Sequence, residues 1–324
     1  MKYYYYISPS LNAWENLALD EFFLNKLKGD YVLLYLYINH DAVIIGRNQN
    51  AWKECNLEQM DRDEVKLVRR MSGGGAVFHD IENLNFSFHA NRKNYNLDRQ
   101  VKTVLDAVRN MGISAEYTGR NDISVDGKKF SGNAFCIRGD NELHHGTLLI
   151  NTDMNRLSNY LNVSAEKIRS KGVESVKSRV CNLTDYNPDL TVETAIEALK
   201  ESFRSNYGDF EEVSFDEDSR RKIDKLYEKH KSWEWRLGET IQFDYMTETR
   251  FPWGGIDLNI NIKQGIVDKV EVFTDALDTN IPEIIKEGLV GSRFSSKEMA
   301  ENLLKKCDSQ QIKDVADYIA TLGI

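Results

Sequence analysis

The sequence predicts an α+β fold: mixed, largely antiparallel sheets with flanking helices, followed by a small α+β C-terminal domain. Apolar runs rich in β-branched and aromatic residues recur at 31–38, 42–45, 66–69 and 256–262, and such runs read as strands. Short turns separate several of them: Asn39-His40-Asp41, Asp126-Gly127 and Lys263-Gln264-Gly265. Turns of this length make hairpins, whereas parallel strands need long crossovers. Helical spacing is interspersed among the strands without a repeating βαβ order, which points to α+β.

Element by element, Asn12 caps an amphipathic helix in which Trp14, Leu17, Ala18, Phe22, Leu24 and Leu27 fall near one face. Strands follow at 31–38 and 42–45. The strand at 66–69, a glycine loop and the alternating stretch 85–90 read as antiparallel sheet around that loop. Residues 97–111 have helical spacing and stop before Gly112. Strand segments at 115–125, 128–136 and 144–151 come next, then helices at 154–160 and 191–207. A second unit begins near 245, so the expected domains are 1–245 and 246–324. It holds the loop Arg250-Phe251-Pro252-Trp253-Gly254-Gly255, strands at 256–262 and 267–273, and two closing helices. Ser295 with Glu298 forms a capping-box pattern for the first of these helices.

Composition narrows the classes. At 324 residues with 41% hydrophobic and 29% charged side chains, the chain reads as an ordinary globular protein of two domains. A formal charge of −9 disfavours a general nucleic-acid binder. No run of 18 apolar residues exists and residues 1–23 lack a leader-like apolar core, so neither a membrane span nor a secretory signal is expected. The 4 cysteines, Cys55, Cys136, Cys181 and Cys307, form no CxxC pair and read as reduced thiols of a cytoplasmic protein.

The most informative segment is Arg69-Arg70-Met71-Ser72-Gly73-Gly74-Gly75-Ala76-Val77-Phe78-His79-Asp80. Consecutive glycines let backbone N–H groups approach an anion, and the arginines add fixed charge. Gly46-Arg47-Asn48-Gln49-Asn50 ends a strand and reads as site lining or a plain turn. Gly119-Arg120-Asn121-Asp122 leaves Asp122 open to metal binding, cation orientation or an Asx turn. In Lys128-Lys129-Phe130-Ser131-Gly132-Asn133-Ala134, strict alternation puts Lys129, Ser131 and Asn133 on one face and Phe130 and Gly132 on the other. His144 and His145 must point to opposite faces of a strand, one of them toward solvent or the site. Residues 167–180 carry a cluster of cations in an acidic chain and read as a basic loop or an exposed face. P-loop, strand-to-helix GxGxxG, GxSxG and HExxH patterns are absent. Glycine backbone, Arg70 and Lys129 together suit an anionic ligand in which charge builds up at phosphorus.

Taken in order, the 69–80 segment, Gly-Arg-Asn-Asp at 119–122, Lys-Lys-Phe-Ser-Gly-Asn-Ala-Phe at 128–135, His-His-Gly-Thr-Leu-Leu at 144–149 and the basic run at 171–180 resemble the lipoate–protein ligase family. The resemblance is dense over 1–245 and extends to an accessory domain after Arg250. It implies a catalytic domain akin to that of biotin protein ligases, and two half-reactions. Lipoate and ATP would give lipoyl-AMP and pyrophosphate, with Mg²⁺ on the phosphates. The lipoyl group would then pass to a lysine of apo lipoyl domains of 2-oxoacid dehydrogenase complexes or of the glycine-cleavage H protein, with no nucleic acid or membrane involved.

By the same resemblance Lys129 is catalytic. Arg70, Gly73, Gly74, Gly75, Ala76, Val77, Phe78, Asn121, Asp122, Gly172 and Ser178 bind ATP or the adenylate, and Asp122 is a candidate Mg²⁺ ligand. Ser72, Gly73, Gly74, Lys129, Ala134, His145 and Gly146 bind lipoate, with Val77, Phe78 and Leu148 as walls of an apolar tunnel. The chain departs from the family where an arginine often follows the Lys-x-Ser-Gly segment: Cys136 stands there, with Arg138 nearby. The competing reading is a lipoyl or octanoyl transferase of the same fold that works through a cysteine thioester. Alternation sets Cys136 opposite Lys129, which counts against that reading.

Overall fold

The computed structural model describes residues 1–26, 29–118, 121–161, 180–237 and 244–324. The chain divides into two compact units. One comprises Met1–Ile44, Trp52–Arg70 and Val77–Arg236; the other comprises Ile45–Ala51, Met71–Ala76 and Leu237–Ile324. The sequence reading cut the chain once, at 245. The structure also groups two short early segments, one of them carrying the three glycines, with the C-terminal residues.

Elements up to Arg236 run, in chain order, β1 (Lys2–Ile7), α1 (Ala13–Lys26), β2 (Tyr31–Ile38), β3 (Ala42–Ile45), α2 (Ala51–Glu54), α3 (Leu57–Arg62), β4 (Lys66–Arg69), β5 (Val77–His79), β6 (Asn83–Asn91), α4 (Leu97–Asn110), β7 (Glu116–Thr118), β8 (Asp122–Val125), β9 (Lys128–Arg138), β10 (Asn141–Leu149), α5 (Arg156–Tyr160), α6 (Val192–Tyr207), β11 (Glu211–Glu212), α7 (Glu217–Lys231) and α8 (Trp233–Arg236). Eight strands form one sheet in the order β11-β1-β2-β6-β10-β9-β8-β7, and β4-β3-β5 form a second. The expected single sheet around the glycine loop is therefore wrong: β4 and β6 lie in different sheets. The loop leads instead into β5, which pairs with β3.

The large sheet is covered on both faces, and this fixes the character of each. On one face Phe86, Phe88, Phe130 and Leu148 pack with Val104, Val108, Leu199 and Phe203 of α4 and α6. On the other, Leu33, Tyr35 and Tyr37 pack with Leu17, Phe22 and Phe23 of α1. Glu21 of α1 accepts hydrogen bonds from Lys229 (2.7 Å) and pairs with His230 (2.8 Å) of α7. α7 was not anticipated, because its apolar contribution is reduced to Ile223 and Leu226 packing on the α1 side, too thin a stripe to stand out.

The second unit contains an antiparallel sheet of β12 (Tyr245–Phe251), β13 (Gly254–Lys263) and β14 (Ile266–Thr274) with α9 (Ile281–Leu289), α10 (Ser296–Lys306) and α11 (Gln310–Ala320). Its core joins Ile256, Leu258 and Ile260 to Ile285, Leu303 and Val315. Three helices follow the sheet where two were expected. The capping box at Ser295 does not form: the Ser295 side chain makes no cap bond, and Glu298 accepts from the Arg293 backbone instead. Among the described residues, no helix is long and apolar enough to cross a membrane.

Candidate active site

Lys129 is set by a flaw in strand pairing. Between β8 and β9 the register shifts, so that Ser124 opposes Lys129 while Ile123 opposes Ser131, leaving Phe130 as an extra residue. A bulge of this kind breaks alternation. Phe130 drops fully into the core, and the Lys129 side chain lies over Gly132, where a Cβ would come within 3.0 Å of its Cε and Nζ. The expectation that Lys129 shares a face with Ser131 and Asn133 is thus overturned. The ammonium pairs with Asp122 at 2.7 Å, both side chains being partly exposed. Asp122 is therefore the counter-ion of Lys129. The strand is further tied by Cys181, whose N–H donates to the Lys129 carbonyl (3.0 Å).

From Gly132 the α1 face of the sheet continues through Ala134, which opposes His145. His145 opposes Ser87, and Thr147 opposes Asn85. Ser87 and Asn85 oppose Tyr35 and Tyr37. Thr147 is partly exposed, and the rest of this strip of polar and aromatic side chains is buried. At its centre Asp20 of α1 takes His89 Nε2 on one oxygen (3.0 Å) and His145 Nδ1 on the other (3.1 Å). Burial alone would raise the Asp20 pKa, but the hydrogen bonds from His145 and His89 outweigh it and hold the carboxyl well below the ordinary range. Sequence reasoning missed Asp20 and His89. For His89 the one signal is the alternating run Asn85-Phe86-Ser87-Phe88-His89, whose polar residues are all interior.

His144 points to the opposite face and is equally buried, bonded to Gln100 (3.0 Å) and Asn133 (2.9 Å). Neither histidine of the pair faces solvent: His144 packs inside and His145 lies on the buried α1-face strip. Burial pushes His144 down to about 3, and His79 likewise, with Arg70 and His145 adding to the effect. A folded pKa below the ordinary value of about 6.5 means the unfolded chain binds more protons between these limits. Stability should be full above pH ~6.5 and fall as pH drops toward about 3, by up to about 1.4 kcal/mol per pH unit for each histidine. Urea unfolding at pH 7.5, 6.5, 5.5 and 4.5 checks this; midpoints that stay level down to 4.5 would refute it.

The two arginines before the glycines part company. Arg69 donates to the carbonyls of Trp235 (2.9 Å) and Arg236 (2.8 Å), closing the end of α8. Arg70 is buried and donates to the Ile44 carbonyl (3.1 Å), and burial lowers its pKa to about 10. It remains charged at neutral pH, near Tyr37 and His79. In the second unit Gly74 has φ +95°, a left-handed backbone that favours glycine. Its N–H donates to the Ala276 carbonyl (3.0 Å). A Cβ on Gly73 would strike the carbonyl oxygens of Ala276 and Leu277 at 2.2 and 2.7 Å, whereas Gly75 has open space around its Cβ position. Two of the three glycines are thus demanded by the fold itself.

Asn121 extends the β8–β9 pairing through exchanges with Asn133 (2.9 Å and 3.2 Å). Gly146 is demanded by close approach, since a Cβ would meet Phe86 at 2.6 Å and Asn133 at 2.7 Å. Phe78 is buried and stacks on Tyr160 (5.5 Å), and Val77 is exposed. Leu148 belongs to the α4–α6 core, so it is not a wall of the α1 face. Gly172, Ser178, most of the basic run and Gly119-Arg120 lie outside the described residues. Cys136 is buried and shares the Gly132 face by alternation; because the bulge brings Lys129 to that same face, the expectation that Cys136 lies opposite Lys129 is overturned, and what separates the thiol from Gly132 is four residues of strand (about 13 Å). Cys181 is buried and its thiol is pushed up to about 11.

Comparison with known proteins agrees with this geometry. The description "Lipoyl protein ligase A/B catalytic domain" matches residues 12–204, and "Bacterial lipoate protein ligase C-terminus" matches residues 240–318. The chain is 39% identical to Lipoate-protein ligase A of Psychrobacter cryohalolentis over 96% of both proteins. Among solved structures, P. falciparum LipL1 in complex with lipoate superposes with a TM-score of 0.86 at 30% identity, covering 98% of this chain and 99% of that one. A lipoate-protein ligase A bound with ATP gives a TM-score of 0.65 at 28% identity, covering 74% of this chain and 99% of that one. Motifs, fold and both matched regions lead to one conclusion: the chain belongs to the lipoate–protein ligase family.

Proposed function

We propose that the chain activates lipoate with ATP to lipoyl-AMP and then transfers the lipoyl group to a lysine of apo lipoyl domains, those of 2-oxoacid dehydrogenase complexes and the glycine-cleavage H protein. The observation that carries the mechanism is the Lys129 ammonium, bent over Gly132 at the head of the buried α1-face strip. In the first step a lipoate carboxylate oxygen bonds to the α-phosphorus and the bond to pyrophosphate breaks. Two anions must meet, so the barrier is largely electrostatic. Lys129 exchanges Asp122 for the carboxylate and α-phosphate oxygens and holds both in line. In the second step the target amine attacks the acyl carbonyl and AMP leaves. Arg70 and residues 73–78, with Asn121, Asp122, Lys129, Gly172 and Ser178, are proposed to contact the adenylate. Ser72, Gly73, Gly74, Lys129, Ala134, His145 and Gly146 are proposed to contact lipoate. The setting proposed is cytoplasmic. The domain roles, catalytic for 1–245 and accessory for 246–324, belong to the same reading.

Asp122 is a single carboxylate already facing an ammonium, which does not make a resident metal site. Among the described residues no group of three or more His, Cys, Asp or Glu is placed to hold an ion. Mg²⁺ is therefore proposed as part of the nucleotide substrate, neutralising the departing pyrophosphate.

The thioester-transferase reading requires an available thiolate. Cys181 is buried with a raised pKa and Cys136 is buried some 13 Å along the strand from Gly132. A chain carrying both Cys136→Ala and Cys181→Ala should still lipoylate an apo lipoyl domain in strict dependence on ATP. Mass spectrometry of the acceptor checks this. Modification without ATP from an acyl-carrier-protein donor, lost in the double variant, would establish the transferase instead.

A further inference from the structure

His79 stands in the Arg69–Asp80 segment with no role assigned to it there, and it is the buried residue beside the strip whose chemistry is least explained by the fold. It ends β5 opposite Ala42 and is buried. Its protonation state can be worked out from its neighbours. Asn16 Nδ2 donates to Asn39 Oδ1 (2.9 Å), which fixes the Asn39 amide so that its NH₂ points at His79 Nδ1 (3.0 Å). Asn16 is itself held by Ser8, which donates to its Oδ1 (2.6 Å), and by the carbonyls of Ser10 and Ile38. Nδ1 of His79 must therefore accept, and in a neutral ring the proton resides on Nε2. That Nε2–H has no hydrogen-bond partner among the described residues. A buried donor left unpaired is costly, and a chain of four side chains is arranged to keep it a donor.

Its surroundings indicate what it could meet. His79 is electrostatically close to His145 and Arg70. Tyr37 is likewise close to Asp20 and Arg70 and hydrogen-bonded to Ser87. These residues bound the strip that starts where the Lys129 ammonium lies over Gly132 and reaches Ala134 and His145 two residues, about 6–7 Å, further along. An acid whose carboxylate sits at Lys129 and whose chain follows β9 brings its far end toward His145 and His79.

On the ligase reading above, we propose that His79 is a specificity residue for the acyl tail: its Nε2–H donates to a ring sulfur at the end of the chain and so favours the dithiolane acid over the plain eight-carbon fatty acid. Sulfur is a weak acceptor, but it relieves a donor that an all-carbon tail would leave buried and unpaired. A site with a fixed buried donor discriminates against ligands that cannot accept from it.

The experiment compares lipoate with octanoate in the full chain, measuring both the affinity by calorimetry and kcat/KM from ATP-dependent pyrophosphate release. Wild type should prefer lipoate. His79→Phe, close in size and without a donor, should lower the lipoate-to-octanoate ratio about tenfold, chiefly through lipoate. His79→Gln, which keeps an N–H, should retain the preference within about threefold. A ratio unmoved by His79→Phe, an equal loss for both acids, or a His79→Gln variant as unselective as His79→Phe overturns the assignment. Should His79→Phe not fold, Asn39→Leu frees the ring from its fixed tautomer and must lower the same ratio. The ligase reading fails separately, if wild type binds an acid and releases no pyrophosphate with either.

Discussion

Lys129→Ala should reduce ATP- and lipoate-dependent pyrophosphate release by about 10²–10³-fold, the effect of removing one fixed electrostatic contact from a transition state that gathers negative charge. The loss should fall on kcat as well as on kcat/KM, because the ammonium is worth most when carboxylate and α-phosphate oxygens converge. The side chain is 36% exposed and its partner Asp122 40%. Thermal stability should consequently change by about 0.5 kcal/mol or less. Separation of these two readouts is the point: turnover within about threefold of wild type would remove Lys129 from the mechanism. Asp122→Asn makes a useful companion, since it removes the counter-ion and leaves the ammonium in place.

Asp20→Ala should be the most destabilising substitution in the site. The carboxylate is buried between two histidine rings, and deleting one partner of such a network leaves the others desolvated and unpaired, at about 3–5 kcal/mol. At ~2–4 °C per kcal/mol for a domain of this size, Tm should drop by about 6–20 °C. Calorimetry on the full chain measures it, and a loss below about 1 kcal/mol would mean that the histidines find other partners. Asp20→Asn retains one acceptor for one ring and should fall between the two.

Much of the site could be read before the structure, because it rests on motifs whose chemistry is local. Three glycines after two arginines announce a close backbone approach, and lysine beside a small-residue segment announces a placed charge. What could not be read depends on distance through space. Asp20, His89 and His145 stand 69 and 125 positions apart from the aspartate, with no spacing rule to join them. The alternation at 85–89 was visible, but alternation says only that two faces differ. Here β6 is central and covered on both sides, so the polar face became an interior one. The arginine pair illustrates a different limit. Side by side in sequence, Arg69 closes a helix end and Arg70 is buried against the Ile44 carbonyl.

Phe130 gives the lysine its position without touching any substrate. Strands count in twos, so a single supernumerary residue exchanges odd for even in everything on its far side. Flattening the bulge, with Phe130 kept and drawn into the ladder, would return Lys129 to the side of Ser131 and Asn133, away from Gly132. Deleting Phe130 outright would leave Lys129 on the side of Gly132 and cost the core an aromatic side chain. For this chain the pairing register of the β8–β9 hairpin is as much a chemical specification as the identity of the lysine it carries.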